Sequence, residues 1–272
     1  MEQVLLQAEE EIYVPEIPLF RDFVNEQSQY WRKKDEIFIK LSYLLGSRVS
    51  ELLTKVTPWQ TAHNKTKPYG KLLSCEFANY RKADGKVVKI LLIKSAIAKR
   101  MKRKKKEEDS NIEAIFQHET WDPSQVQENS ETSPQVQKVK MKLVPIVCDA
   151  AAEPWSIDIL KWIRDQKPKN NEAVDKCLRF NFCEMTAQNI VKKCLRQLDP
   201  KIHPHSLRHY RVTHLIKSYG FSPYQISCFT GWSLTSVTAQ MGMRASSNVE
   251  IYAHLKWKDY IDLLLVPLSE VS

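Results

Sequence analysis

The sequence predicts a mainly helical domain with a small three-stranded antiparallel sheet, an α+β class, and three observations carry this. Apolar residues recur at helical spacing through most of the chain after Asp149. An Asp84-Gly85 turn separates two strand-like runs, the second rich in β-branched residues, and a third such run follows a long polar interval. The 272 residues, 43% hydrophobic and 10% aromatic, are enough for one substantial core.

Taken in order, residues 1–34 begin acidic, are interrupted by Pro15 and Pro18, and end aromatic and basic at Tyr30 to Lys34. This is the pattern of an N-terminal arm, with the regular fold starting at Asp35. Ile37, Leu41 and Leu44, flanked by Phe38 and Leu45, then predict a helix that Gly46 breaks, and Ser47 caps a second one through Leu53. Strands are expected at Cys75 to Arg81, Lys86 to Lys94 and Val139 to Val147. Between the last two, residues 95–137 are first basic and then polar, and are expected to be a mostly disordered insertion in a hairpin. Helices follow at Trp155 to Asp165, Glu184 to Leu198 and Pro204 to Lys217, Pro204 suiting a first helical turn where no amide donor is needed. The expected organisation is therefore an arm (1–34), one domain (35–266) and a short tail (267–272).

Composition narrows the function classes. An excess of 41 Lys and Arg over 32 Asp and Glu, a net charge of +9, favours a polyanionic partner such as nucleic acid. Met1 to Glu11 carry four acidic and no basic residues, unlike a secretory signal, and no long apolar run occurs, so a soluble intracellular protein without membrane contact is expected. The six cysteines form no C-x-x-C pair, which points to free thiols and to no metal centre. With six glycines and no phosphate-binding glycine loop, no nucleotide cofactor is expected.

The sharpest local feature is HPHSLRHYRVTH at residues 203–214, which sets His205 and Arg208 one helical turn apart on one face. Upstream stands LLGSRVSELLTKV, with Arg48 and Glu51; downstream stand CFTGW, ending on Trp232, and IYAHL, containing Tyr252. These four stretches, in this order, resemble the signature boxes of the tyrosine recombinase (phage integrase) family, including Xer- and Cre-like catalytic domains. The likeness spans roughly residues 35–265 apart from the insertion.

The resemblance implies the catalytic-domain fold of that family and a site-specific recombinase or integrase, a DNA strand transferase working through a 3′-phosphotyrosyl intermediate. It implies Arg48, His205, Arg208 and Trp232 as catalytic residues, Tyr252 as nucleophile and Glu51 in support. The family's hairpin lysine falls best on Lys94, with Lys86, Lys99, Lys140 and Lys142 as rivals. No cofactor is implied. Double-stranded DNA is the implied partner, bound by a homo-oligomer, a tetramer by likeness, in the nucleoid, cytoplasm or a host nucleus.

The chemistry accounts for these residue types. A phosphodiester repels nucleophiles, so an enzyme without a metal must offer fixed cations to the charge that builds at phosphorus, and guanidinium forks remain charged and bond two oxygens at once. A tyrosine of ordinary pKa ~10 needs its proton accepted, for which His205 is the candidate, and the expelled 5′ oxygen needs a proton, for which the lysine is proposed. Trp232 offers an indole N–H donor and a ring for packing.

The chain also departs from the family pattern. The stretch VTAQMGMRASS lengthens the interval between Trp232 and Tyr252, which leaves Tyr260 and Tyr224 as alternative nucleophiles and allows delivery of the tyrosine to a neighbouring subunit. Seven basic residues in eight (Lys99, Arg100, Lys102, Arg103, Lys104, Lys105, Lys106) are a candidate DNA contact, with a solvated charge run or a nuclear-import signal as alternatives. The apolar run Tyr260 to Leu265 either docks on a neighbouring subunit or packs on its own core. The competing functions are a type IB topoisomerase-like enzyme and a catalytically inactive DNA-binding module.

Overall fold

The computed structural model describes residues 13–53, 74–96, 141–165, 180, 182–232, 234, 237–238 and 255–271, all belonging to one compact unit. Helix α2 (Lys33–Leu45) lies at its centre, with every residue from Asp35 to Leu45 buried. A helix that meets protein on all sides must be surrounded, and here α1 (Ile17–Ser28), α4 (Trp155–Asp165) and α6 (Pro204–Lys217) close around it. The charged residues of α2 are therefore paired inside the fold, Lys40 reaching Glu36 at 2.6 Å and Asp158 at 2.5 Å. Helix α3 (Val49–Leu52) follows at once, α5 (Glu184–Leu195) packs on α3 and α6, and α7 (Pro223–Thr230) packs on α6.

The sheet is antiparallel in the order β1 (Ser74–Arg81), β2 (Val87–Ala96), β3 (Met141–Val147). Its central strand is apolar from Ile90 to Ile93 and buried along that length. The register pairs Lys94 with Leu143 and Ser95 with Lys142, and β3 rests against α7. The α+β class expected from the sequence is thus present, with a mainly helical body and a three-stranded antiparallel sheet. The expected insertion falls mostly on residues 97–140, outside the described residues.

Two boundary expectations are corrected. Residues from Pro15 onward are part of the domain, not an arm. Ile17, Phe20 and Val24 are buried on one face of α1, the Phe20 ring centroid lies 4.7 Å from that of Tyr43, and the Arg21 guanidinium donates to both Glu153 oxygens at 2.8 and 2.6 Å. The Ile17, Phe20, Val24 spacing was readable, but the two prolines suggested a break. Pro18 in fact occupies the first turn of α1, where a proline costs no hydrogen bond. At the other end, Tyr260, Ile261, Leu264, Leu265 and Val271 are buried in the chain's own core, and the Leu268 amide donates to the Ala151 carbonyl at 2.8 Å. The apolar run and residues 267–271 therefore close the domain. Among the described residues, no helix is long and apolar enough to cross a membrane.

His214 ties this packing together. Its Nε2 faces the Pro15 carbonyl at 2.7 Å and can only donate there, so Nδ1 accepts from the Tyr43 hydroxyl at 2.8 Å. Burial, then the charges of Arg211 and Arg21, outweigh that carbonyl and push the imidazole down to about 4. The unfolded chain consequently binds a proton that the folded one excludes. Stability should be full above pH 6.5 and fall as the pH drops toward 4, by up to about 3 kcal/mol from this residue. Thermal melts of the wild type and His214→Gln across that window test this, since the variant should show a shallower slope. Removing Arg21 leaves Glu153 buried and unpaired, so Arg21→Ala should cost about 3–5 kcal/mol in a denaturant titration.

Candidate functional site

Two glycine caps deliver two of the residues singled out by sequence. Helix α2 ends at Gly46 in the left-handed region (φ 50°), a conformation that a Cβ disfavours, and the reversed chain makes Arg48 the N-cap of α3. Helix α7 ends likewise at Gly231 (φ 72°), which turns the chain so that Trp232 follows directly. The Trp232 amide is held by the Thr230 hydroxyl at 3.1 Å, and its carbonyl accepts from the Ser227 hydroxyl at 2.7 Å.

The N-terminal end of α6 brings His205 and, one turn on, Arg208. His203 caps this helix, its Nδ1 accepting the His205 amide at 3.1 Å, while the Ser206 hydroxyl accepts the His203 amide at 3.2 Å. Arg208 then runs inward and is 1% exposed. One guanidinium nitrogen donates to the Gly46 carbonyl at 2.7 Å, the guanidinium carbon lies 4.5 Å from the Trp232 ring centroid, and Nε has no hydrogen-bond partner among the described residues. Burial lowers the Arg208 pKa, Glu51 opposes this and Arg48 adds to it, the result being about 10. It remains a cation at neutral pH.

Among the described residues the lysine of this cluster is Lys142, where the sequence led to Lys94. Side chains alternate along a strand, and the register sets Lys94 and Lys142 on opposite faces of the sheet. Lys94 is exposed, whereas Lys142 is 4% exposed with its ammonium 3.1 Å from the Glu51 carboxylate, itself 2% exposed. Burial lowers the Lys142 pKa, Glu51 resists, and Arg208 and Arg48 push further down. Glu51 therefore pairs with a buried ammonium. Lys142 had stood only as a rival because sequence spacing alone does not fix strand register.

His205 lies at the exposed rim of the cluster. Loss of water around its ring, then His209, Arg208, His203 and Arg48, push it down to about 4, so it is neutral at pH 7 and able to accept a proton. The structure thus brings Arg48, Glu51, His205, Arg208 and Trp232 into one neighbourhood, together with Lys142. His203 and His209 also border it and were not singled out by sequence, although both stand in the quoted stretch. Tyr252 and the basic residues Lys99 to Lys106 lie outside the described residues. Of the alternative tyrosines, Tyr224 is half-buried on α7. Tyr260 is 1% exposed, donates to the Leu143 carbonyl at 3.4 Å, and is driven well above its ordinary pKa by burial, all unsuited to a nucleophile.

Compared with protein-family models, with curated proteins and with solved structures, the chain matches none. The chemistry of the cluster is therefore the ground for a functional reading. Lys142 pairs with the Glu51 carboxylate, whose charge also acts on Arg208, and a neutral imidazole stands at the rim. Such an arrangement suits an anion that needs both charge and proton transfer.

The lysine assignment is open to direct test. Lys142→Met should destabilise the fold by about 3–5 kcal/mol by stranding Glu51, and adding Glu51→Leu should recover most of that loss. Lys94→Met should leave the unfolding midpoint nearly unchanged.

Proposed function

We propose that this chain is a DNA strand transferase of the tyrosine recombinase kind. The observation that carries the proposal is the buried guanidinium of Arg208, fixed by the Gly46 carbonyl and the Trp232 ring beside Arg48, Lys142 and His205. Its fixed positive charge suits a phosphodiester, and the order of the four sequence boxes that resemble the family supports DNA as the source of that phosphate.

In this reading Arg48 and Arg208 stabilise the charge that builds on the nonbridging oxygens. The Tyr252 oxygen attacks phosphorus and gives its proton to His205. A tyrosyl–phosphorus bond forms as the bond to the 5′ oxygen breaks, and that oxygen leaves as a hydroxyl after gaining a proton. Among the described lysines, Lys142 is the one in the cluster, and we assign the donation to it; its lowered pKa eases release. Attack by a second 5′-hydroxyl reverses the step and reseals the strand, the number of phosphodiester bonds being conserved. A tetramer holding two duplexes, and the grip of the basic run Lys99 to Lys106, belong to this same proposal.

One observation favours a second reading, a DNA-binding module without strand transfer. Arg208 is so enclosed that its Nε meets a phosphate only if Trp232 or its surroundings shift. A nicked suicide duplex built from the DNA flanking the gene separates the two. Strand transfer should leave a denaturant-stable protein–DNA adduct, absent in Tyr252→Phe and slowed about 10²- to 10³-fold in Arg208→Ala. Retained duplex binding with no adduct overturns the enzyme and leaves the module.

A further inference from the structure

His205 stands in the first turn of α6 on an exposed surface, where a lone imidazole would sample several rotamers. Here two further imidazoles lie beside it. The His209 ring, one turn further along the helix, meets it edge to face, with centroids 4.5 Å apart and planes at 87°. The His203 ring lies nearly parallel at 13° and 6.2 Å, and is itself held because its Nδ1 accepts the His205 amide. That bond leaves Nε2 of a neutral His203 to carry the proton. Among the described residues, no three His, Cys, Asp or Glu side chains form a metal-binding group.

We propose that His203 and His209 bracket the His205 imidazole and fix its orientation, His209 being a positioning residue for the phosphate chemistry. The clause about phosphate rests on the function proposed above; the bracket itself does not. The charged and titratable groups facing His205 are His203, Arg208 and His209 on its own helix and Arg48 from the turn before α3, all cationic when charged. Burial, then His203 and Arg208, also lower the pKa of His209 within the bracket. Protonation in acid would set like charges side by side and open it.

The bracket is read without DNA, in the full chain, by NMR of the histidine side chains, with His205 assigned through His205→Gln. The wild type should show a single His205 χ1 rotamer and a titration midpoint well below the ordinary histidine value. His209→Ala should average the rotamer and raise the midpoint by about one unit, and His209→Phe, which keeps an aromatic edge, should restore both. His203→Ala, which removes the other neighbouring ring, gives the same readout should His209→Ala fail to fold. A single rotamer surviving in the alanine variants overturns the bracket, as does averaging in both His209→Ala and His209→Phe. With the suicide duplex, adduct formation should slow about tenfold in His209→Ala and recover in His209→Phe. Absence of any wild-type adduct would sink the strand-transfer reading while leaving the rotamer result standing.

Discussion

The hydrogen bond from Arg208 to the Gly46 carbonyl joins three parts of the fold that are far apart in sequence: the start of α6, the turn between α2 and α3, and, through the Trp232 ring beneath the guanidinium, the end of α7. A buried guanidinium is costly unless its donors are met and its charge is answered. Here one donor finds a carbonyl, a ring face takes the flat side, and Glu51 supplies opposite charge while bonding Lys142. Nε of the same guanidinium has no hydrogen-bond partner among the described residues and is enclosed with it.

That arrangement depends on the helical body holding still. Helix α2 is enclosed on every face, so the Gly46 turn at its end has little freedom to move, and α1 completes the enclosure through Phe20 and the Arg21–Glu153 pair. His214 reaches from α6 to Tyr43 on α2 and to the Pro15 carbonyl, linking the helix that bears Arg208 to the segment that precedes α1. The packing that buries the N-terminal helix is therefore continuous with the packing that orients the cluster. The first helix thus supports the site through this packing.

Several features were legible in the residues because they depend on local geometry. Period and turn chemistry located α2, α6 and the sheet strands to within a few residues, since helical and strand periodicities follow from the backbone alone. The H-x-x-R spacing likewise set His205 and Arg208 on one face. Lys94 against Lys142 was different in kind. A shift of one residue in strand register exchanges the faces of a sheet, and register is decided by which side chains the two strands can bury together.

Composition and periodicity by themselves determined the α+β class, the helix pair around Gly46, and the basic excess that favours a polyanionic partner. The ordered set of motifs holding Arg48, Glu51, His205, Arg208 and Trp232 came instead from the resemblance to the recombinase boxes. Tertiary structure alone decided that α1 and the final residues belong to the core, that Lys142 is the lysine paired with Glu51, and that Tyr260 is buried. It decided, too, that His203 and His209 flank His205. Each of these turns on contacts between segments distant in the chain or on the direction a side chain takes. Burial and electrostatic neighbours are properties of the packed whole, which no local pattern encodes.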